Sequence, residues 1–352
     1  MRLIMILFLW SITGTVVAQD NLFPGKTGDE LLDLVVSTYK PALALTYGPT
    51  RDSMYLHVYR DNDRQVTCHY TGLTRLLPDN VDPSAHLYND DDPLSITAEH
   101  IYPQSKGAGE EPARSDMHNL IPVISRVNSA RSNYPFGEIP DEETDHWYLQ
   151  ELDLSTAPNA DRDLYSEQLN GGFGHPGRFE PQEAFKGDVA RAVFYFYTMY
   201  KEEADDADPD FFWEMKDILL EWHAADPVDA LEAERNLLKA LFQEGQPNPF
   251  ILDCSLVFRA YGDPNSRCSS LTDTQLLPDQ SPWEIFPNPV TDLLHLGETS
   301  PDQILLLDSF GRQVKLIHRP LSGVVDVSDL TPGPYLLYAP GLQQMTRFIK
   351  SE

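Results

Sequence analysis

The sequence predicts a mostly helical α+β domain followed by a small all-β domain of the immunoglobulin-like sandwich type. Two observations carry this. Apolar residues recur at helical spacing in long segments between Leu31 and Phe242, with only short β-rich stretches between them. After Cys268 the pattern changes to short apolar runs at close spacing, separated by turn signals.

Residues 1–18 read as a signal peptide. Arg2 gives a positive start, Leu3 to Trp10 an apolar run, and Val16-Val17-Ala18 a small-residue cleavage site. The run is short for a bilayer span, so no integral membrane segment is expected after cleavage. Thr27 and Glu30 form a capping-box pattern ahead of a helix over Leu31–Tyr39. Met54–Arg60 and Arg64–Tyr70 are rich in β-formers and flank Asp61-Asn62-Asp63, which predicts a hairpin. Asn80–Pro93 and the glycine-rich Pro158–Gly177 read as loops. Helices are expected over Phe185–Tyr200 and Phe211–His223, with a third opened by Asp226-Pro227 and reaching about Phe242.

Residues 269–282 read as a polar linker between a domain at 24–268 and another at 283–352. The second domain carries six apolar runs: Leu293–Leu296, Ile304–Leu307, Val314–Ile317, Val324–Val327, Tyr335–Tyr338 and Met345–Ile349.

The 352 residues include 26 Lys and Arg against 55 Asp and Glu, a net charge of −29. Such a chain does not grip nucleic acid through a broad basic face. The segment from Glu99 to Pro135 departs from this, with four basic and four acidic residues. Cys68, Cys254 and Cys268 allow at most one internal disulfide, and both Cys254–Cys268 and Cys68–Cys254 are open. Without a C-x-x-C pair a thiolate zinc site is disfavoured, and without a phosphate-binding loop or nucleophile elbow so are nucleotide-driven motors and serine hydrolases.

Chemistry concentrates between Thr97 and Gly137. Glu99 and Asn128 offer oxygens to a hard cation such as Mg²⁺, and His100 can accept a proton from water near neutral pH. Together they are the parts for metal-assisted hydrolysis of a phosphodiester. Pro122 can open a helix on which Val123, Ile124, Val127 and Ala130 make the buried face. Asn128 and Arg131, three apart, share another. Glu99 and His100 are adjacent, so on a regular strand they point to opposite faces. Both can serve one site only at a strand end, bend or bulge.

Three blocks, Glu99-His-Ile-Tyr-Pro-Gln-Ser105, Ser115-Asp-Met-His-Asn-Leu120 and Val127-Asn-Ser-Ala-Arg-Ser-Asn-Tyr-Pro-Phe-Gly137, closely resemble the bacterial endonuclease I family. The resemblance extends over about Leu31–Tyr261. It implies a ββα-metal (His-Me) finger, with His100 as general base and Glu99 and Asn128 as ligands of Mg²⁺, or of Ca²⁺ or Mn²⁺. The implied protein is a secreted nuclease of little sequence preference acting on DNA, with RNA open as a second substrate, and a monomer is expected. Some members hold the cleaved phosphate with an arginine in a long insertion after the histidine. The connection is short here, and Lys106, Arg114 and Arg131 are the candidates. His118 and Asn119 are accessory candidates, for which fixing the loop before the helix is the simpler role.

Ile285–Leu296, Asp308–Val314, Asp326–Leu337 and Arg347–Lys350 resemble the C-terminal sorting domain of type IX secretion cargo of Bacteroidetes. That implies a partnership with this machinery through residues 283–352, passage across the outer membrane, and release or cell-surface attachment. The competing expectation, supported by the acidic charge, is a surface binding or adhesion protein on a decayed nuclease fold.

Overall fold

The computed structural model describes residues 22–266 apart from 43–44, 62 and 173–175, and residues 285–351 apart from 298–300, 302, 309–312, 319–322 and 340–343. The signal-peptide segment, the linker and Cys268 lie outside the described residues.

The chain opens with α1 (Gly28–Tyr39), which buries Leu31, Val35 and Tyr39. The predicted capping box is not made. Thr27 gives no side-chain cap, and Glu30 pairs instead with Lys26, one turn earlier. Next come α2 (Tyr47–Ser53) and, continuous with it, a π-helical turn over Met54–Tyr59. This corrects the strand expected over Met54–Arg60. Its residues are β-formers, but Met54, Tyr55, Val58 and Tyr59 are the buried ones, a helical spacing, and that burial decides the conformation. The strand that does form, β1 (Gln65–Thr67), pairs with β2 (Thr74–Leu76). Within the predicted Asn80–Pro93 loop sits α3 (Pro83–Leu87), capped by Asp82, which accepts from the Ala85 amide at 2.9 Å.

The segment that positions the site follows. β3 (Ile96–His100) runs antiparallel to β4 (Leu120–Ile124), and α4 (Ser125–Arg131) continues directly from β4. Pro122 therefore lies in a strand, opposite Ala98, rather than opening the helix. All five β4 residues are buried, and burying Pro122, Val123 and Ile124 as strand outweighs the start signal of proline.

β5 (His146–Leu149), β6 (Leu152–Leu154), β7 (Ser166–Leu169) and β8 (Arg178–Glu180) form an antiparallel sheet in the order β6-β5-β7-β8. β7 lies within the predicted glycine-rich loop. The central helix α5 (Lys186–Met199) buries every residue except Asp188, as expected of a helix enclosed on all sides. α6 (Lys201–Ala207), α7 (Phe211–Ala225) and α8 (Ala230–Ala240) pack around it. Burial of each large apolar side chain contributes about 1.5–3 kcal/mol, so α5 is the main anchor of this core.

The C-terminal region contains all six expected strands: β9 (Leu293–His295), β10 (Gln303–Asp308), β11 (Gln313–His318), β12 (Val324–Asp326), β13 (Gly333–Ala339) and β14 (Gln344–Lys350). They form a four-stranded sheet, β11-β10-β13-β14, and a two-stranded one, β12-β9. Leu294, Leu306, Val325, Leu337 and Phe348 belong to a separate core. Leu305 and Tyr338, however, are buried within the larger hydrophobic cluster of the helical region. Cys68 is a free buried thiol and Cys254 is disulfide-bonded, so the Cys68–Cys254 pairing is absent. No described helix is long and apolar enough to cross a membrane.

Candidate active site

β3 ends at His100, and the chain bends there. Asn119 makes the bend: its backbone carbonyl accepts from the Ile101 amide at 3.0 Å, and its side chain both accepts from Tyr102 N at 2.7 Å and donates to Tyr102 O at 3.0 Å. The strand end is the position at which neighbouring residues can turn toward one site, and Glu99 and His100 are both buried there. Asp116 fixes the turn ahead of Asn119, accepting from the His118 amide at 3.0 Å and from the hydroxyls of Tyr195 and Tyr200 at 2.9 and 2.8 Å.

His100 Nε2 lies 2.9 Å from the Arg114 carbonyl. A carbonyl only accepts, so Nε2 carries the hydrogen and Nδ1 keeps its lone pair. Gln104 donates to Nδ1 at 3.2 Å. The ring stacks on Tyr47, with centroids 5.4 Å apart. Burial lowers the His100 pKa to about 4, with the Arg114 and Arg131 charges adding to it against the carbonyl bond. The imidazole is therefore neutral at pH 7 and able to take a proton.

Beside it, Glu99 Oε1 stands 3.4 Å from Arg131 Nε but makes no hydrogen bond. Burial pushes the Glu99 carboxyl up to about 7, opposed by the Arg131 charge. Arg131 is itself 0 % exposed. Its guanidinium donates to the carbonyls of Ile101 at 2.6 Å, Ser132 at 3.3 Å and His100 at 3.4 Å, and lies over the Phe136 ring. That placement suits a buried counter-charge and does not suit a phosphate contact. Half-buried Asn128 donates through Nδ2 to Thr97 Oγ1 at 2.9 Å and to Ala98 O at 3.4 Å, tying α4 to β3. These bonds use the amide nitrogen and leave Oδ1 as an acceptor.

The remaining candidates separate. Lys106 is bound to Asp208 at 2.6 Å and sits over the Phe211 ring. The buried ring of His118 packs on Tyr195 and donates to the Gln246 carbonyl at 2.9 Å. It lines a small, partly open cavity of about 40 Å³ with His69, Arg235 and Lys239. Burial holds its pKa at about 3. Arg114 places its guanidinium 4.5 Å from the Tyr47 ring centre, and Arg51 stands 4.9 Å from the same ring. The sequence reading did not include Tyr47 and Arg51. Their i,i+4 spacing puts them on one helix face, but nothing local in sequence directs that face toward His100.

A carboxylate with an unbonded buried oxygen, and on α4 an amide oxygen left free to accept, are donors suited to a hard cation. Glu138, Glu180 and Glu183 form a second oxygen cluster. There the Lys186 ammonium bonds all three, at 2.8, 2.8 and 2.6 Å, and already supplies the positive charge.

β3, β4 and α4 thus carry His100, Glu99 and Asn128 on one strand–strand–helix unit. The family model for endonuclease I matches residues 35–254, and the chain belongs to that family. It is 30% identical over 167 residues to an extracellular ribonuclease of Bacillus subtilis (strain 168), covering 44% of this chain and 49% of the relative. It is also 30% identical over 136 residues to an extracellular deoxyribonuclease of Aeromonas hydrophila, covering 39% and 48%. The chain thus spans about half the length of the curated relatives it matches.

Proposed function

We propose that the chain is a secreted, divalent-metal-dependent endonuclease that hydrolyses phosphodiester bonds of DNA and RNA with little sequence preference. The observation that carries this reading is the environment of His100: a neutral imidazole whose Nε2 is committed to a backbone carbonyl, next to Glu99 on the strand to which Asn128 donates. Family membership and the two kinds of nuclease among the relatives support it.

In this reading β3, β4 and α4 are a ββα-metal finger. His100 Nδ1 takes the proton of the attacking water, while the Arg114 carbonyl keeps the ring oriented. Glu99 and Asn128 hold the cation through carboxylate and amide oxygens, and Arg131 balances the Glu99 charge from the protein side. When bound, Mg²⁺ polarises the phosphate and stabilises charge on the leaving 3′ oxygen. Arg131 is fully buried and Lys106 is paired with Asp208, which leaves Arg114 as the candidate for contact with substrate phosphate. Residues 24–268 form the catalytic domain, and residues 283–352 direct export through the type IX machinery to the medium or the cell surface.

Nicking of supercoiled plasmid with and without chelator tests the reaction. Chelator-sensitive nicking is expected, and none in the presence of Mg²⁺, Ca²⁺ or Mn²⁺ would leave a binding protein.

A further inference from the structure

We propose that Arg51, with Arg114, forms a subsite for a backbone phosphate next to the one attacked. The inference rests on reading His100 as the base. Tyr47 touches all the parts: its ring stacks on His100 and has the Arg51 and Arg114 guanidiniums 4.9 and 4.5 Å from its centre. The pair therefore stands one aromatic ring away from the general base.

Most described arginines of this acidic chain pair with a carboxylate, as Arg60, Arg75, Arg191 and Arg259 do. Arg51 and Arg114 have no such partner among the described residues, and the Nε of each is buried without a hydrogen bond. Two guanidiniums against one ring without a carboxylate partner leave local positive charge that an anion can take up. The guanidinium fork matches phosphate oxygens in pairs. A polyanion approaching a protein of net charge −29 also needs a local positive site. The aromatic ring limits where both side chains can go, so part of the ordering cost of binding is already met. Arg51 reaches the ring from α2, Arg114 from the turn before β4, so the subsite closes only in the folded chain.

The test reads binding without cleavage. A fluorescent single-stranded DNA oligonucleotide is titrated with the full chain in chelator, over a range of NaCl, using wild type, R51Q, R51K and R60Q. R51Q should bind about tenfold more weakly at low salt, and its slope of log affinity against log salt should be shallower by about 0.7, one phosphate contact on a single strand. R51K should keep the slope. R60Q, whose native arginine pairs with Asp79, should match wild type. Wild-type affinity and slope in folded R51Q would overturn the subsite. Should R51Q not fold, the wild type is titrated with oligonucleotides carrying one neutral methylphosphonate linkage at successive positions. One position should show the same loss, and equal binding at all positions would overturn the proposal. A chain that cuts nothing yet binds through Arg51 would refute the reaction and leave the subsite standing.

Discussion

His100 Nε2 donates to the Arg114 carbonyl, fourteen residues further along the chain, at 2.9 Å. That bond selects the tautomer and leaves Nδ1 as the basic nitrogen. The turn carrying Arg114 is in turn held by Asp116, buried against Tyr195 and Tyr200 of the central helical layer. Orientation of the proposed base thus depends on Asp116, a fully buried carboxylate.

Replacing Asp116 by alanine should therefore lower kcat about tenfold with little change in KM. It should also cost about 1–3 kcal/mol for each tyrosine hydroxyl left unbonded. Steady-state kinetics and chemical denaturation check the two parts. Lost stability with wild-type kcat would show that the turn does not position His100.

Arg131→Met should destabilise the fold by about 3–5 kcal/mol, because it leaves the buried Glu99 carboxyl without its counter-charge. Arg131→Lys should recover little of this, since an ammonium cannot reach the Ile101, Ser132 and His100 carbonyls together. Urea unfolding measures both. A near-neutral Arg131→Met would mean that the guanidinium is not the balancing charge.

Glu99→Gln and Asn128→Ala should each raise the Mg²⁺ concentration for half-maximal cleavage by tenfold or more, as expected when one oxygen ligand is lost. KM for DNA at saturating metal should change less. Rate against Mg²⁺ gives the midpoint, and unchanged midpoints in both variants would remove the ligand assignment.

Truncation before residue 275 should leave a nuclease that still nicks plasmid, since every proposed catalytic group lies before it. A polar linker over 269–282 by itself implies few contacts between the regions it joins. Leu305 and Tyr338 are instead buried in the larger core, and the Tyr338 hydroxyl, whose pKa burial raises, also senses the Glu234 carboxylate of α8. A lower Tm is therefore expected, together with failure to leave the native host. Normal appearance in the medium would show that residues 283–352 are not the export signal.

Much of this organisation was legible because its determinants are local. The strongly apolar run Phe185–Tyr200 gives α5 within a residue at each end, and the six C-terminal runs each become a strand. Glu99, His100 and Asn128 stood out because they fall within thirty residues and one strand–strand–helix unit. The failures have the opposite cause. Met54–Tyr59 has the composition of a strand, but tertiary burial selects a helical turn. Pro122 has the local chemistry of a helix start, yet pairs within β4. Arg131 was a candidate for the phosphate contact, but folding places it, fully buried, beside Glu99. Arg51 reaches the site through Tyr47, about fifty residues before His100, a proximity that only the packed chain creates.

The most direct test of the central claim is plasmid nicking by purified, folded His100→Ala beside wild type, with Mg²⁺ and with chelator. Loss of a general base lowers the rate by about 10²–10⁴-fold. Chelator-sensitive nicking by wild type is expected, with a loss of that size in the variant at unchanged Tm. A variant that nicks at the wild-type rate, or a wild type indifferent to chelator, would contradict that claim.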